Sequence, residues 1–123
     1  MTLAEAIHRI DTLKPNAFSQ EEKIRWLSLL DGTVKKELID THEGTNGADF
    51  AAYDANTDTS QELLIEHPYD DLYVLWLEAR IDYASGEYGK YNNSISLFNT
   101  SYDAYAKYYN RTHKPISKSW SHF

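Results

Sequence analysis

The chain has 123 residues, the size of a single domain, and folding at this size hides roughly two-thirds of the surface that the unfolded chain exposes. It contains no cysteine, which excludes disulfides and thiolate metal sites. No stretch approaches the roughly 20 apolar residues of a membrane span, and the first residues lack the regions of a signal peptide. The composition therefore predicts one intracellular domain with no membrane contact, whose fold depends on packing or on partners.

The net charge of −7 is unevenly distributed. Residues 1–103 carry 19 acidic and eight basic side chains, whereas residues 104–123 carry four basic and no acidic ones. An acidic body argues against a general nucleic-acid-binding protein, which presents a broad basic face. A basic tail is suited to an acidic surface on another chain, although a solvated chain end can have the same composition.

Two capped helices are predicted in the first third of the chain. Thr2 with Glu5, and Ser19 with Glu22, have the spacing of a capping box, in which each side chain binds a free backbone N–H at the start of a helix. Pro15 ends the first helix. Apolar residues follow each box at spacings of three and four, which is typical of one buried helical face. These stripes are Leu3, Ile7, Ile10 and Leu13, then Ile24, Leu27, Leu30, Val34 and Leu38.

Residues 42–66 show no helical period, and the run 44–47 has turn chemistry. An irregular segment of this length is usually functional or disordered. It ends in the apolar run 63–65, which is long enough for a short strand. The segment also carries apolar side chains that a solvated loop does not need, so we expect contacts with a neighbouring subunit. The loop contacts predicted in this way are Phe50, Tyr53, Leu64 and Ile65.

Two further helices are predicted in the second half. The third begins near Pro68 and ends at Gly86, with the stripe Leu72, Leu75, Trp76, Ala79 and Tyr83. The fourth is about 24 residues, or about 35 Å, long. Its apolar and aromatic residues recur at alternating spacings of three and four and form a seam, which predicts shallow packing against another long helix. Tyrosine buries a large area but keeps a hydroxyl that needs a partner, so this seam is a candidate both for the core and for a subunit contact. The aromatic members of the seam are Tyr88, Tyr91, Phe98, Tyr102, Tyr105 and Tyr109.

The last residues form a tail of a different character. Pro115 prevents further helix, serine stands at every second position from 117 to 121, and the tail is not poor in aromatic residues as disordered segments are. We therefore expect a helical bundle domain over residues 1–112 and an extended tail over 113–123 that binds another protein through apolar anchors and charges. The residues predicted to make that contact are Lys114, Ile116, Lys118, Trp120 and Phe123.

The sequence contains only incomplete matches to cation-binding and catalytic sites. Asp54, Asn56 and Asp58 match the first half of a calcium loop, but the later glycine and glutamate are missing. Whether this loop binds a cation stays open. His67 with Asp70 and Asp71 could form one turn of an acid–base site but lacks a nucleophile or a third orienting group. No metalloprotease, nucleophile-elbow or phosphate-loop motif is present. The sequence therefore predicts a protein that is not an enzyme, with no catalytic, cofactor-binding or metal-binding residues.

Four stretches of the second half carry a family resemblance: residues 72–84 (LYVLWLEARIDYA), 86–88 (GEY), 90–93 (KYNN) and 108–111 (YYNR). In these stretches the chain resembles the head–tail connector, or adaptor, proteins of long-tailed phages and of prophages of Gram-positive bacteria. The first half fits the layout of that family only loosely.

The predicted elements amount to a small all-α bundle of about four helices, with a long C-terminal helix, an irregular middle loop and an extended C-terminal tail, and members of the resembled family are small helical bundles. The resemblance implies a homo-oligomeric ring, usually of twelve copies, which lies under the portal and lets DNA pass without specific binding. The implied partners are the portal protein, docked by the C-terminal tail, and the next connector or stopper protein of the tail interface. The protein would be part of the virion, and in the host cytoplasm during assembly.

A different class of function is the alternative: a cytoplasmic helical protein–protein interaction module with a regulatory role. The third and fourth helices could be taken for one helical-repeat unit, but repeats need at least three copies to bury a core, and the sequence shows one. A regulatory module would be a monomer or dimer, whereas a connector would form a ring, alone or on a portal.

Overall fold

The computed structural model describes residues 1–43 and 49–116. In this part of the chain the elements are helices, and the only β-pairing consists of two isolated bridges. The α-helices are α1 (Leu3–Leu13), α2 (Gln20–Glu37), α3 (Leu72–Ala84) and α4 (Tyr88–Thr112), and short 3-10 turns cover Ile39–Thr41 and Tyr69–Asp71. The predicted all-α bundle with a long C-terminal helix is confirmed. Residues 63–65 form no strand; the nearest pairing is the bridge between Glu62 and Thr2.

Both predicted helix starts are present. Thr2 Oγ1 accepts from the Glu5 backbone N–H at 3.1 Å, and Glu5 Oε1 accepts from the Thr2 N–H at 3.1 Å. At α2, Ser19 Oγ accepts from the Glu22 N–H at 3.1 Å, but the Glu22 side chain faces Arg25 at 3.6 Å, so only half of the predicted capping box is formed. Each capping contact satisfies a backbone donor that the first helical turn leaves free. Local sequence alone therefore sets where the first two helices begin.

Helix α3 lies at the centre of the bundle and packs against α1, α2 and α4. The single buried stripe predicted for it is only partly right, because a helix enclosed on several sides buries residues all round its circumference. Leu72 and Ala79 of that stripe are buried, but Trp76 is only half-buried and Tyr83 is half-exposed. The buried apolar residues of α3 are Leu72, Tyr73, Val74, Leu77, Ala79 and Ile81.

Helix α4 has 25 residues, close to its predicted length, but its main packing partner α3 has only 13. The shallow packing predicted against another long helix is therefore limited to one part of α4. Gly86, with φ of 74°, closes the turn between the two helices, a conformation that favours glycine. Nearer its C-terminus, α4 packs against rings outside α3: Tyr108 stacks on Tyr69 at 4.7 Å, and Tyr109 meets His42 edge-on at 4.8 Å. No helix in the described part of the chain combines the length and the apolar character that crossing a membrane requires.

The middle segment, from residue 49 onward, belongs to the chain's own core. Tyr53 and Ile65, which were predicted as loop contacts with another subunit, are buried within the chain itself, so their burial needs no second subunit. The physical reason is that the segment is bound to the helices: the Tyr53 hydroxyl donates to Asp31 of α2, and the Ile65 N–H donates to the Tyr73 hydroxyl of α3. Phe50 and Leu64 are half-buried and pack against the same core. The predicted turn at 44–47 lies outside the described residues.

The tail begins as part of the bundle. His42 and Pro115 form an antiparallel bridge, in which the Glu43 N–H donates to the Lys114 carbonyl at 2.8 Å and the Ile116 N–H donates to the Thr41 carbonyl at 3.0 Å. The extended backbone predicted for the tail is therefore present at its start, but residues 114–116 are held against residues 41–43. Three predicted anchors, Lys118, Trp120 and Phe123, lie outside the described residues.

Candidate protein-interaction groove

The acid–base and cation candidates of the sequence are accounted for by local structure. Asp54 Oδ1 accepts from the Asn56 N–H, and Asp58 Oδ1 accepts from the Ser60 N–H, both at 2.8 Å. These carboxylates cap turns, and the bonds from Ser60 lower the pKa of Asp58. His67 is an exposed side chain whose Nδ1 lies 3.3 Å from a carboxylate oxygen. Over residues 1–43 and 49–116, no three acidic or histidine side chains are grouped closely enough to hold a metal ion.

An apolar groove of about 350 Å³ lies between α2, α3 and α4. One wall comes from α2, where Leu29 and Thr33 are four residues apart and so share a face. The other wall comes from α4, through Phe98 and Tyr102, which are also four residues apart. The full lining is Leu29, Leu30, Thr33, Trp76, Arg80, Phe98, Asn99 and Tyr102.

The α3 residues of the groove are aromatic and cationic. The Trp76 indole N–H donates to the Trp26 carbonyl at 2.8 Å, which fixes the ring, and the same ring lies 5.1 Å from that of Phe98. The guanidinium of Arg80 lies 5.5 Å from the Trp76 ring centroid and 5.8 Å from those of Trp26 and Tyr83. Arg80 is thus held over aromatic faces by cation–π attraction.

Two polar atoms of the groove are buried without a hydrogen-bond partner in the described part of the chain, the Nε of Arg80 and the hydroxyl of Tyr102. A buried donor that is left unpaired costs free energy. Burial also raises the pKa of Tyr102, and the nearby charge of Glu37 raises it further, so the hydroxyl stays protonated and able to donate. The groove therefore presents two hydrogen-bond donors that suit an acceptor on a bound molecule.

A second hollow continues from the groove along α2. It shares Leu29 and Thr33 with the groove and extends past Gly32 to Glu37, with Phe50 on its far side. Leu29 is 47% exposed although it is a large apolar side chain. The outer face of α2 thus carries one exposed leucine among small and polar residues over about two turns, with Lys36 and Glu37 at its C-terminal end. Sequence periodicity missed this surface, because Leu29 and Thr33 lie off the buried stripe.

The seam of α4 divides between the core and the surface. Phe98, Tyr105 and Tyr109 are buried in the chain's own core, while Tyr91 and Tyr102 are half-buried. Tyr88 is 60% exposed at the start of the helix, with its ring 5.7 Å from that of Tyr83. The N-terminal end of this helix therefore keeps aromatic surface available for contact.

A buried carboxylate that sequence periodicity also missed ties the bundle together. Asp31 is 0% exposed and accepts hydrogen bonds from the Tyr73 hydroxyl at 2.5 Å, the Tyr53 hydroxyl at 2.7 Å and the Leu64 N–H at 3.0 Å. Burial raises its pKa, and the three bonds oppose that shift. The network joins α2, α3 and the middle segment. Its signal in the sequence is the spacing of Asp31 from Leu27, which puts the aspartate on the buried stripe.

Comparisons of this chain with protein-family profiles, with curated proteins and with solved structures found no match. The structure itself defines the class, a small all-α bundle with a long C-terminal helix. Evidence for its function therefore comes from the residues and their geometry.

Proposed function

We propose that this chain is a structural subunit of a tailed-phage virion. It is a head–tail connector that forms a ring, usually of twelve copies, under the portal, joins the head to the tail and lets DNA pass. The observation that carries the proposal is the anchored start of the basic tail, where residues 114–116 pair with residues 41–43.

The pairing of residues 114–116 with residues 41–43 fixes the position at which the tail leaves the bundle. His42 is buried, its Nδ1 donates to the Leu38 carbonyl at 2.6 Å, and its Nε2 lies 2.8 Å from the Asn110 side chain. His113 stacks on Tyr109 with ring centroids 3.8 Å apart. A peptide that starts from an ordered point loses less conformational entropy on binding than one on a free linker. The anchored tail is therefore suited to docking on a large partner such as a portal.

Charge supports the same role. The body is acidic and the last 20 residues carry only basic charges, so the tail is attracted to acidic surfaces that repel the rest of the chain. In a ring, many tails engage one portal together, and weak individual contacts then give strong attachment. An acidic body also suits a channel wall, because like charge keeps DNA from adhering to it.

Exposed apolar side chains supply candidate contacts between neighbouring subunits. Leu97 is 52% exposed, and Leu13 and Tyr88 are more exposed still. A ring needs two different complementary faces on each subunit. Helical spacing places the exposed Leu97 and Asn99 on opposite sides of the buried stripe of α4, so that helix has exposed residues on two sides.

The groove favours the second candidate, a cytoplasmic helical interaction module with a regulatory role. An apolar groove with a few convergent polar groups is a common form of ligand-binding site, and helical domains bind peptides in such grooves. The two candidates differ in assembly, because a module of this kind needs no ring and no portal.

The test is co-sedimentation with the portal protein encoded by the same phage or prophage. The full chain is compared with a version ending at Ile116, which keeps the pairing with residues 41–43 and should retain the helical circular dichroism signal. A version ending at Thr112 would remove that pairing and confound the result. We expect the full chain to sediment with the portal and the shortened chain to remain in solution. Equal sedimentation of both versions would contradict the role given to the tail.

Salt separates the two parts of that contact. Binding through the tail lysines should weaken as ionic strength rises, because exposed charges are screened beyond about 8–10 Å at physiological salt. Binding through Trp120 and Phe123 should persist at high salt and be lost in the double variant Trp120→Ala, Phe123→Ala. Retention of full binding by that variant would contradict the aromatic anchors.

A further inference from the structure

We propose that, in the free chain, the groove between α2, α3 and α4 binds the chain's own residues 117–123. The proposal concerns the isolated molecule and stands whether or not the portal role is correct. It gives the groove a peptide-binding function and names residues 117–123 as the bound peptide.

The direction of the tail supports this occupant. The bridge between His42 and Pro115 is antiparallel, and the Ile116 N–H is bound to the Thr41 carbonyl. The chain after Ile116 is therefore directed back past Thr41 toward the C-terminal end of α2. Glu37, Thr33 and Leu29 follow one another at single-turn intervals along α2 from that end, and they lead into the groove.

The lengths agree as well. An extended chain advances about 3.3 Å per residue, so an extended tail would carry Lys118 about 7 Å and Trp120 about 13 Å beyond Ile116. From Thr41 back to the end of α2 the chain forms a 3-10 turn, which rises about 2 Å per residue, so Glu37 lies at most about 8 Å back from Thr41. Thr33, one α-helical turn further along α2, lies at most about 14 Å back. Such a tail would bring the lysine level with Glu37, which lines the hollow together with Lys36, and the indole level with the start of the apolar groove.

The last aromatic residue extends the same register. An extended tail would carry Phe123 about 23 Å beyond Ile116, and Leu29, two helical turns before Glu37, lies at most about 20 Å back from Thr41. The second ring would therefore reach the end of the groove formed by Leu29 and Phe98. Covering Leu29, a half-exposed leucine, removes apolar surface from water.

The chemistry of the groove fits an extended peptide. Arg80 Nε and the Tyr102 hydroxyl are buried donors with no partner in the described residues, and the backbone carbonyls of an extended segment are acceptors. The Arg80 guanidinium also lies over aromatic rings already, and it can add the face of an arriving indole to that stack.

The experiment uses the absence of cysteine from the chain. A single Ser121→Cys substitution allows one nitroxide spin label, whose effect is read on the amide signals of nitrogen-15-labelled protein. We expect strong broadening of the amides at 29–37 and 98–102, unchanged on tenfold dilution. In a mixture of spin-labelled unenriched protein with enriched protein that carries no label, we expect no broadening.

Broadening in the mixed sample would overturn the proposal, because the occupant would then be the tail of a second copy. Absence of selective broadening in the singly labelled protein would overturn it too. Leu29→Asp places a charge in the groove at an exposed position and should abolish the effect. Leu97→Asp, a matched change on the other side of α4, should leave it intact. Equal loss in both variants would show that the groove is not the site.

Discussion

The hydroxyl of Tyr73 donates a 2.5 Å hydrogen bond to Oδ1 of Asp31, and this contact joins α3 to α2 inside the core. The same hydroxyl accepts from the Ile65 N–H at 2.7 Å. Tyr73 therefore serves as donor and acceptor at once, between a buried carboxylate and the backbone of the middle segment. The one hydroxyl oxygen of Tyr73 therefore makes both hydrogen bonds, to the Asp31 carboxylate and to the Ile65 N–H.

Removing that oxygen should destabilise the fold. Tyr73→Phe leaves Asp31 with one donor fewer and the Ile65 N–H without an acceptor, so we expect the free energy of unfolding to fall by about 1–3 kcal/mol. Urea denaturation measures this. Tyr83→Phe is the matched control, because its ring is half-exposed, and it should behave like the unmodified chain. Equal stability of the two variants would show that the network contributes nothing.

Alkaline pH should unfold the protein. Burial raises the pKa of Tyr53, Tyr73, Tyr102, Tyr105 and Tyr109 in the folded state, whereas unfolded tyrosines lose their protons near pH 10. Above about pH 10 the folded state therefore binds more protons than the unfolded state, and stability falls as pH rises.

Phenolate absorbance and helical circular dichroism, followed together, test this pH dependence. We expect half of the ten tyrosines to ionise only as the helical signal is lost. Tyr73→Phe should reduce the slope of stability against pH, because one of these groups is gone. Ionisation of all ten near pH 10 with the helices intact would contradict the burial of these hydroxyls.

The ion pair of Lys14 with Asp82 should be required for stability. The Lys14 Nζ lies 2.6 Å from Oδ1 of Asp82, a carboxylate that is 2% exposed and also accepts from the Ser94 hydroxyl at 2.9 Å. Lys14→Met leaves a buried charge unpaired and should cost about 2–4 kcal/mol. Adding Asp82→Leu should restore most of the loss, because neither charge then remains buried.

The matched control for this pair is Lys107→Met, which breaks the exposed pair of Lys107 with Asp103 on α4. Exposed pairs contribute little to stability, so no measurable change in the thermal melt is expected. If Lys14→Met and Lys107→Met melt alike, the Lys14 pair is not buried in solution.

Phe98 should be a core residue in spite of lining the groove. It is 6% exposed, and its ring lies 5.1 Å from that of Trp76 and 5.7 Å from that of Tyr102. Phe98→Ala should lower the free energy of unfolding by about 3–5 kcal/mol. Leu97→Ala, its exposed neighbour on the same helix, should change it little. A melt unchanged by Phe98→Ala would place this ring outside the core.

Features that depend on neighbouring residues in the sequence could be predicted. The caps at Thr2 and Ser19 follow from local spacing, and the spacing of the seam with the proline at 115 predicts about 24 residues for α4, which has 25. Features that depend on tertiary enclosure could not. Tyr73 stands off the predicted stripe of α3 and is fully buried, because partners surround that helix.

The candidate site was largely hidden from the sequence for the same reason. Leu29 and Thr33 lie off the buried stripe of α2, and only the approach of α4 makes them the wall of a groove. Asp31 had a visible signal, a carboxylate at a stripe position, but its partners come from residues 53–73 and cannot be found by periodicity. The tail was predicted as extended, but its pairing with residues 41–43 is a long-range contact.

The most direct test of the proposed connector role is electron microscopy of the chain mixed with the portal of the same phage, together with the mass of the complex. We expect a closed ring of this chain seated on the portal, with a copy number that matches the symmetry of the portal. A chain that remains monomeric or dimeric with and without the portal, and leaves the portal bare, would contradict the proposed function.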